Sequence, residues 1–128
     1  MPLPFRAAPA AAFCAFLAPV WAIAGDAAKG EKVFRKCMAC HEIGADARVR
    51  SGPPLTGIVG QPAAGNADFQ YSPAMTKAAA EGLVWDEASL TAFLTKPRKF
   101  LKGTRMSFAG LRKAEDIEDL IAFLEAEG

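Results

Sequence analysis

Histidine is scarce in this sequence: among 128 residues only His41 occurs, which excludes any site that needs two histidines. Three cysteines are too few for a small domain held together by disulfides. Basic charge is not in excess, since 15 Lys and Arg face 14 Asp and Glu, and this balance gives no indication of nucleic-acid binding. With 52% hydrophobic and 23% charged residues the chain is neither disordered nor collagen-like, and its length leaves no room for a second catalytic domain.

The first 24 residues differ in composition from the rest of the chain. They are apolar and rich in alanine, with Arg6 as the single charge, and they end in Ala22-Ile23-Ala24. A basic start, an apolar stretch and a small-residue A-x-A end are typical of a cleavable secretory signal peptide. We therefore predict a signal peptide over residues 1–24, one domain over residues 25–128, and an exported protein.

An uncleaved membrane anchor is the alternative for this segment, because the apolar run approaches the length that spans a bilayer. Pro9 and Pro19 interrupt the run, which favours cleavage. Cleavage would remove Cys14 and leave Cys37 and Cys40 in a compartment where thiols are usually oxidised. The processed chain would then have no membrane segment.

Four short stretches of the remaining chain carry helix signals, and none carries a convincing strand signal. Helices are predicted over 27–36 after Asp26, from Ser72-Pro73, from Asp86-Glu87 up to Pro97, and over 114–126. Residues 44–70 and 98–112 lack periodicity and are predicted to be loops. The class is all-α. So much irregular chain in a compact domain indicates a large bound group for it to wrap around.

The motif Cys37-Met38-Ala39-Cys40-His41 is the C-x-x-C-H attachment signature of a c-type haem. Two thiols three positions apart at a helix end can reach the two vinyl groups of one porphyrin and form thioethers. The adjacent His41 can then donate an imidazole nitrogen to the iron. A structural zinc site would need about four ligands, a thioredoxin-like cysteine pair would need a βαβ unit, and a plain disulfide would not require the histidine.

The second axial ligand of such an iron cannot be histidine, which leaves methionine or no protein ligand. Met38 lies within the attachment loop and cannot reach the opposite face of the haem. Met75 falls in a predicted helix, where a core thioether is the commoner role. Met106 falls in a glycine-containing loop and is the favoured candidate, with Met75 left open.

The chain resembles a class I cytochrome c of the soluble bacterial type over residues 26–128. The resemblance rests on Gly30…Phe34, the motif at 37–41, Gly52-Pro53-Pro54-Leu55-x-Gly57, Phe69-x-Tyr71-Ser72, Trp85, Leu94-x-x-Pro97, Gly103-Thr104-x-Met106-x-Phe108-x-Gly110 and Asp119–Leu124. It implies the cytochrome c fold, with four or so short helices and long loops around one covalently bound haem. It also implies that Gly30 and Phe34 let the first helix cross the last one closely, against Leu120 and Phe123.

The resemblance further implies roles for single residues. Met106 matches the thioether ligand of the iron, and Pro53 matches the proline whose carbonyl accepts the ring N–H of the histidine ligand. Tyr71 and Trp85 match residues that bind a buried haem propionate. Thr104 and Phe108 match residues that line the haem crevice.

Two positions depart from the pattern of many relatives. Gln61 stands where many have an arginine near a propionate, and Phe93 stands where many have a tyrosine bonded to the methionine sulfur. Both changes bear on the electrostatics and hydrogen bonding around the cofactor, and hence on its reduction potential. Neither touches haem attachment or ligation.

The predicted function is that of a single-haem electron carrier, not an enzyme. Met/His ligation raises the reduction potential and fills both axial positions, so no substrate reaches the iron without displacing a protein ligand. The alternatives are a haem-based sensor or peroxidase-like enzyme with a labile sixth ligand, and a fixed subunit of a membrane redox complex. Since mitochondrial members have no secretory peptide, the resemblance points to a periplasmic protein.

The predicted partners are membrane redox complexes. By family likeness these are cytochrome bc1-type donors and oxidase, reaction-centre or reductase acceptors, met by a monomer without stable membrane insertion. Five basic residues lie in the segment that leads to Met106, whereas the last helix is acidic, and such a dipole orients a protein toward acidic partners. The five are Lys96, Arg98, Lys99, Lys102 and Arg105. Solvated surface charge without a docking role is the alternative.

Overall fold

The computed structural model describes residues 25–128 together with the isolated positions Pro4 and Ala15, so the rest of the predicted signal peptide, including Cys14, lies outside the described part. Within 25–128 the secondary structure is helical, with one isolated antiparallel bridge, Pro62 to Val84, and no strand. The all-α class is confirmed. The helices are α1 (Ala27–Phe34), α2 (Pro73–Ala80), α3 (Glu87–Thr95), α4 (Pro97–Phe100) and α5 (Ala114–Ala126). No helix of that range is long and apolar enough to cross a membrane.

Side-chain caps explain where three of these helices begin. The first backbone N–H groups of a helix have no partner within it, and an Asp or Ser just before the helix can accept from them. The Asp26 carboxylate accepts from the N–H groups of Ala28 and Lys29 at 2.9 and 3.2 Å. Ser72 and Asp86 cap α2 and α3 in the same way. All three starts agree with the prediction.

The prediction of a loop from residue 98 was wrong at its beginning, because Pro97–Phe100 form the one-turn helix α4. Pro97 ends α3, since proline disfavours helix in the residue before it, and it also starts α4, since its fixed φ suits a first helical position. The Leu101 N–H closes the turn on the Pro97 carbonyl at 2.9 Å. The first helix is also two residues shorter than predicted and continues as turns.

Helices α1 and α5 cross in close contact at Gly30. A Cβ atom at this position would collide with the Asp119 carbonyl and lie 2.7 Å from the Cβ of Phe123, so only glycine fits. One turn further on, the rings of Phe34 and Phe123 pack with their centroids 5.2 Å apart. Leu120, 1% exposed, lies at the centre of the core. The structure therefore has the crossing that the resemblance implied.

The long segment 44–70 is held by backbone hydrogen bonds to distant parts of the chain rather than by regular structure. Its amides at Gly52, Gly57 and Gly60 donate to the carbonyls of Cys40, Glu127 and Trp85 at 2.8 to 3.1 Å. Further on, the Leu111 N–H donates to the Leu94 carbonyl at 2.8 Å and returns the chain to α3. These bonds satisfy backbone groups that would otherwise be unpaired and fix both loops around one cavity.

Candidate functional site

Within residues 25–128, a cavity of about 850 Å³ brings the predicted site residues together. This volume lies within the range of about 300–1,000 Å³ typical of small-molecule and cofactor sites. The turn after α1, the loop 44–70, α3 and the segment 101–110 all contribute to its wall. The predicted residues on the wall are Cys37, Cys40, His41, Pro53, Tyr71, Trp85, Thr104, Met106 and Phe108.

The imidazole of His41 is held in one orientation by a hydrogen bond to the next loop. Its Nδ1 lies 2.7 Å from the carbonyl oxygen of Pro53. Because a carbonyl only accepts, Nδ1 carries the hydrogen and donates, and Nε2 of the neutral ring keeps its lone pair. Burial lowers the pKa of His41 below its ordinary value, opposed in part by this hydrogen bond. The ring is therefore a neutral nitrogen donor, the form that binds a metal.

Gly52 packs against the flat face of the same ring. A Cβ on Gly52 would lie 2.7 Å from Nδ1 of His41 and 2.9 Å from Nε2. No side chain fits there without displacing the imidazole. The position also shows that the glycine of the Gly-Pro-Pro-Leu motif serves the histidine directly.

Cys37 and Cys40 enter the cavity from a tight turn that follows α1. The N–H groups of Cys40 and His41 both donate to the Cys37 carbonyl, at 3.1 and 2.9 Å. The two thiols are not joined in a disulfide. Burial raises the pKa of the Cys37 thiol, with Lys36 acting in the opposite direction. A protonated thiol is a poor nucleophile, which does not suit thiol-based redox chemistry.

The three methionines of the described chain differ in their surroundings. Met38 is 53% exposed and does not line the cavity, as its place in the attachment loop led us to expect. Met75, on α2, and Met106, in the extended segment after α4, both line it and are both partly buried. The Met106 N–H donates to the hydroxyl of Thr104 at 3.3 Å. The lining of the cavity alone therefore does not decide whether Met75 or Met106 is the iron ligand.

The two aromatic residues predicted to bind a propionate, Tyr71 and Trp85, both line the cavity. The Tyr71 hydroxyl oxygen accepts from the N–H of Asn66 at 3.0 Å. Trp85 is buried, packs against Phe93 with ring centroids 5.0 Å apart, and is anchored through its backbone N–H to the Gln61 carbonyl. Both sites of departure from the relatives, Gln61 and Phe93, therefore line the cavity as well.

Comparison with known proteins agrees with this geometry. The family model "Cytochrome c" matches residues 27–126. The chain belongs to the cytochrome c family. It is 49% identical over 100 residues to a cytochrome c2 of Agrobacterium tumefaciens (strain II Chrys), covering 78% of this chain and 90% of that protein. A cytochrome c2 of Afifella marina is 45% identical over 98 residues, covering 77% and 79%.

Solved cytochrome structures have the same fold. Cytochrome cH from Methylobacterium extorquens superposes with a TM-score of 0.73 at 41% identity, covering 80% of this chain and 99% of that one. Cytochrome c2 from Rhodospirillum centenum superposes with a TM-score of 0.74 at 37% identity, covering 80% and 98%. The cytochrome c fold expected from the sequence is thereby confirmed.

As a cytochrome c, the chain carries one covalently attached haem c and is a single-haem electron carrier. Cys37, Cys40 and His41 form its C-x-x-C-H motif. The site fits this group in its size, in its two thiols on one turn, and in a neutral imidazole of fixed tautomer beside them. Cytochromes c of this family are generally not enzymes.

Apolar side chains of two helices and of the loop 44–70 also line the cytochrome c cavity. Leu90 and Leu94 of α3, and Leu120 and Leu124 of α5, lie on the apolar helix faces that the sequence spacing predicts. Leu55 and Ile58 lie in a loop without periodicity, so no such signal was available for them. A wall of branched aliphatic side chains keeps water away from a bound porphyrin.

Proposed function

We propose that His41 and Met106 are the two axial ligands of the iron, and that the chain acts only as a carrier and not as an enzyme. The observation that carries the proposal is the Nδ1–H of His41 donating to the Pro53 carbonyl at 2.7 Å, which leaves Nε2 available to the metal. When bound, haem c supplies one reversible electron at its iron, and Met/His ligation raises its reduction potential. With both axial positions taken by side chains, no position at the iron is left for a substrate.

Met106 is preferred to Met75 because of where each lies in the chain. Met75 belongs to the regular helix α2, whose N-terminus is capped by Ser72, whereas contact with the hydrophobic core is common to both methionines. Met106 lies in an extended segment between Gly103 and Gly110, both of which have positive φ. A side chain on such a segment is positioned by its loop and not by a helix face, in keeping with the family's thioether ligand.

The other cavity residues would hold and orient the cofactor. Cys37 and Cys40 form its two thioether bonds, and Pro53 orients the histidine. Tyr71 and Trp85 line the cavity, and their hydroxyl and indole N–H are groups that can hydrogen-bond a propionate. Thr104 and Phe108 line the crevice next to Met106.

We further propose that residues 1–24 are a signal peptide removed after Ala24, and that the domain over 25–128 works in the bacterial periplasm. The A-x-A end of an apolar, singly charged segment supports this. Covalent attachment retains the cofactor in a compartment from which a lost haem would not be recovered.

Membrane redox complexes are the proposed partners, with cytochrome bc1-type donors and oxidase, reaction-centre or reductase acceptors. The five basic residues around α4 and the Met106 segment are all exposed, and none forms a salt bridge with another residue of 25–128. Their charges are therefore available to an acidic partner surface, where they would speed encounter.

Optical spectra in both redox states, combined with intact mass, test the proposal on protein exported by a host with cytochrome maturation. We expect the mass of residues 25–128 plus one haem, low-spin spectra, and the thioether-to-iron charge-transfer band in the oxidised state. A colourless protein, a mass without haem, or an open iron that binds carbon monoxide rapidly would overturn it.

A further inference from the structure

Asp119 is a buried acidic residue in the middle of α5. It is 6% exposed, and its Oδ1 accepts from the N–H of Asp26 at 2.8 Å, which ties α5 to the start of α1. No basic side chain of residues 25–128 lies within salt-bridge distance of it. Buried carboxylates normally face a cation or several hydrogen-bond donors, because losing water is costly for a charge. Oδ1 has this one donor, whereas Oδ2 has none within residues 25–128 and still reaches solvent, so the carboxylate has room to pair with a cation.

Gly25 lies directly on this region of α5. A Cβ there would collide with the Glu118 carbonyl and lie 2.8 Å from the Asp119 backbone nitrogen, so a side chain is excluded. The Gly25 nitrogen is three bonds from the Asp26 nitrogen, which bonds to Asp119. Standard bond lengths therefore keep the Gly25 nitrogen within about 6.5 Å of Asp119 Oδ1, at most.

We propose that processing after Ala24 creates an α-ammonium group on Gly25 that pairs with the Asp119 carboxylate and stabilises the α1–α5 crossing. This inference rests on the signal-peptide removal proposed above. Hydrolysis of the Ala24–Gly25 peptide bond consumes one water and leaves a carboxylate on Ala24 and an amine on Gly25. The amine takes up a proton, since the ordinary α-amino pKa is about 7.7–8.0.

In the precursor the same nitrogen is a neutral amide, so this charge pair forms only after cleavage. A lone ammonium beside the start of α1 would oppose the helix dipole, which is positive at that end. The negative charges of the Asp26 and Asp119 carboxylates offset this repulsion between the ammonium and the helix dipole. The other ion pair between these helices, Lys29 with Glu115 at 3.8 Å, has both side chains more than half exposed and contributes little.

The test is a double-mutant cycle on the mature holoprotein. One change is Asp119→Asn, which keeps an oxygen for the Asp26 N–H and removes only the charge. The other is selective acetylation of the Gly25 amine, verified by peptide mass. Glu125→Gln, the same change at an exposed position near the end of α5, is the matched control.

We expect Asp119→Asn to reduce the folding equilibrium constant about tenfold more in the free-amine protein than in the acetylated protein. Glu125→Gln should show no such difference. A coupling below about twofold overturns the pair while leaving the carrier function untouched, because spectra and electron transfer do not depend on it. A mature N-terminus other than Gly25 also overturns the inference, and N-terminal mass reports it separately from haem content and spectra.

Discussion

Gly52 and His41 are in such close contact that a methyl group on Gly52 would lie 2.7 Å from the ring nitrogen Nδ1. The same nitrogen donates to the carbonyl of Pro53, the next residue, at 2.7 Å. Two consecutive residues thus fix the imidazole, one by excluding volume beside its face and one by a hydrogen bond at its edge. Small changes in this loop should therefore alter how His41 binds the iron.

Gly52→Ala should therefore displace the imidazole. We expect a loss of about 1–3 kcal/mol in the free energy of unfolding of the holoprotein, the usual cost of overpacking, together with an altered spectrum of the oxidised haem. Gly65→Ala is the control, because Gly65 lines the same cavity and its Cβ would meet only the Pro62 carbonyl, at 3.2 Å. Denaturant unfolding and optical spectra measure both effects. An equal loss of unfolding free energy and the same spectrum in both variants would contradict the prediction.

Met106→Leu and Met75→Leu separate the two thioethers of the cavity. Removing the axial ligand should abolish the thioether-to-iron charge-transfer band and lower the reduction potential by on the order of 0.1 V or more, since axial ligands set haem potentials over about 0.8 V. Met75→Leu should keep the band and cost less than about 1.5 kcal/mol, because the two side chains have similar volume. The reverse pattern would assign the ligand to Met75.

Features of the fold that are determined within a few neighbouring residues could be predicted from the sequence. Ser72 and Asp86 cap helices within three residues of themselves, and their helices began where predicted. The C-x-x-C-H motif is likewise complete within five residues. Pro97 was interpreted only as the end of α3, because a helix of one turn is too short to show periodicity.

The remaining features depend on contacts between distant parts of the chain. Gly52 meets His41 across an eleven-residue separation, and Asp119 bonds to Asp26 across 93 residues. Asp119 lies in the acidic first turns of α5, and this position in the sequence suggests an exposed residue. It is buried instead, because the Gly30 crossing brings the N-terminus of α1 against it. Such roles follow from packing and have no signature in periodicity or composition.

Phe93→Tyr tests the departure next to the cofactor. Phe93 is 7% exposed and lines the cavity, so an added hydroxyl would need a partner there. A hydrogen bond to the Met106 sulfur would withdraw electron density from the iron and raise the reduction potential. Phe100→Tyr is the matched control, since Phe100 belongs to the same aromatic cluster but is 37% exposed. Voltammetry should show a higher reduction potential only for Phe93→Tyr. A lower or unchanged potential in that variant would refute the predicted hydrogen bond.

Asp86 gives the stability of α3 a defined pH dependence. Its carboxylate accepts from the Ser89 N–H at 2.8 Å, and these hydrogen bonds with Ser89 lower the pKa of Asp86. Because the folded-state pKa lies below the unfolded one, the stabilisation is present above about pH 4 and is lost as the pH falls through the folded value. Asp86→Ala should thus lower Tm by a few degrees at pH 7.

The difference in Tm between wild type and Asp86→Ala should narrow steadily below about pH 4. Asp46→Ala, at an exposed turn without a capping role, is the control and should change Tm little at any pH. Thermal unfolding at a series of pH values measures both. A difference that stays constant down to pH 2 would show that the cap acts without its charge.

Charge reversal around the Met106 segment tests whether its basic residues dock a partner or merely face solvent. Lys102 and Arg105 are exposed on either side of Gly103 and Thr104. The double variant Lys102→Glu and Arg105→Glu should slow electron transfer to an acidic membrane partner several-fold at low salt, because steering raises association rates. Lys32→Glu, an exposed change of the same sign on α1, is the control. Stopped-flow rates across a salt series should fall for wild type and stay flat or rise for the double variant. If the wild-type rate does not depend on salt concentration, these charges face solvent and do not dock a partner.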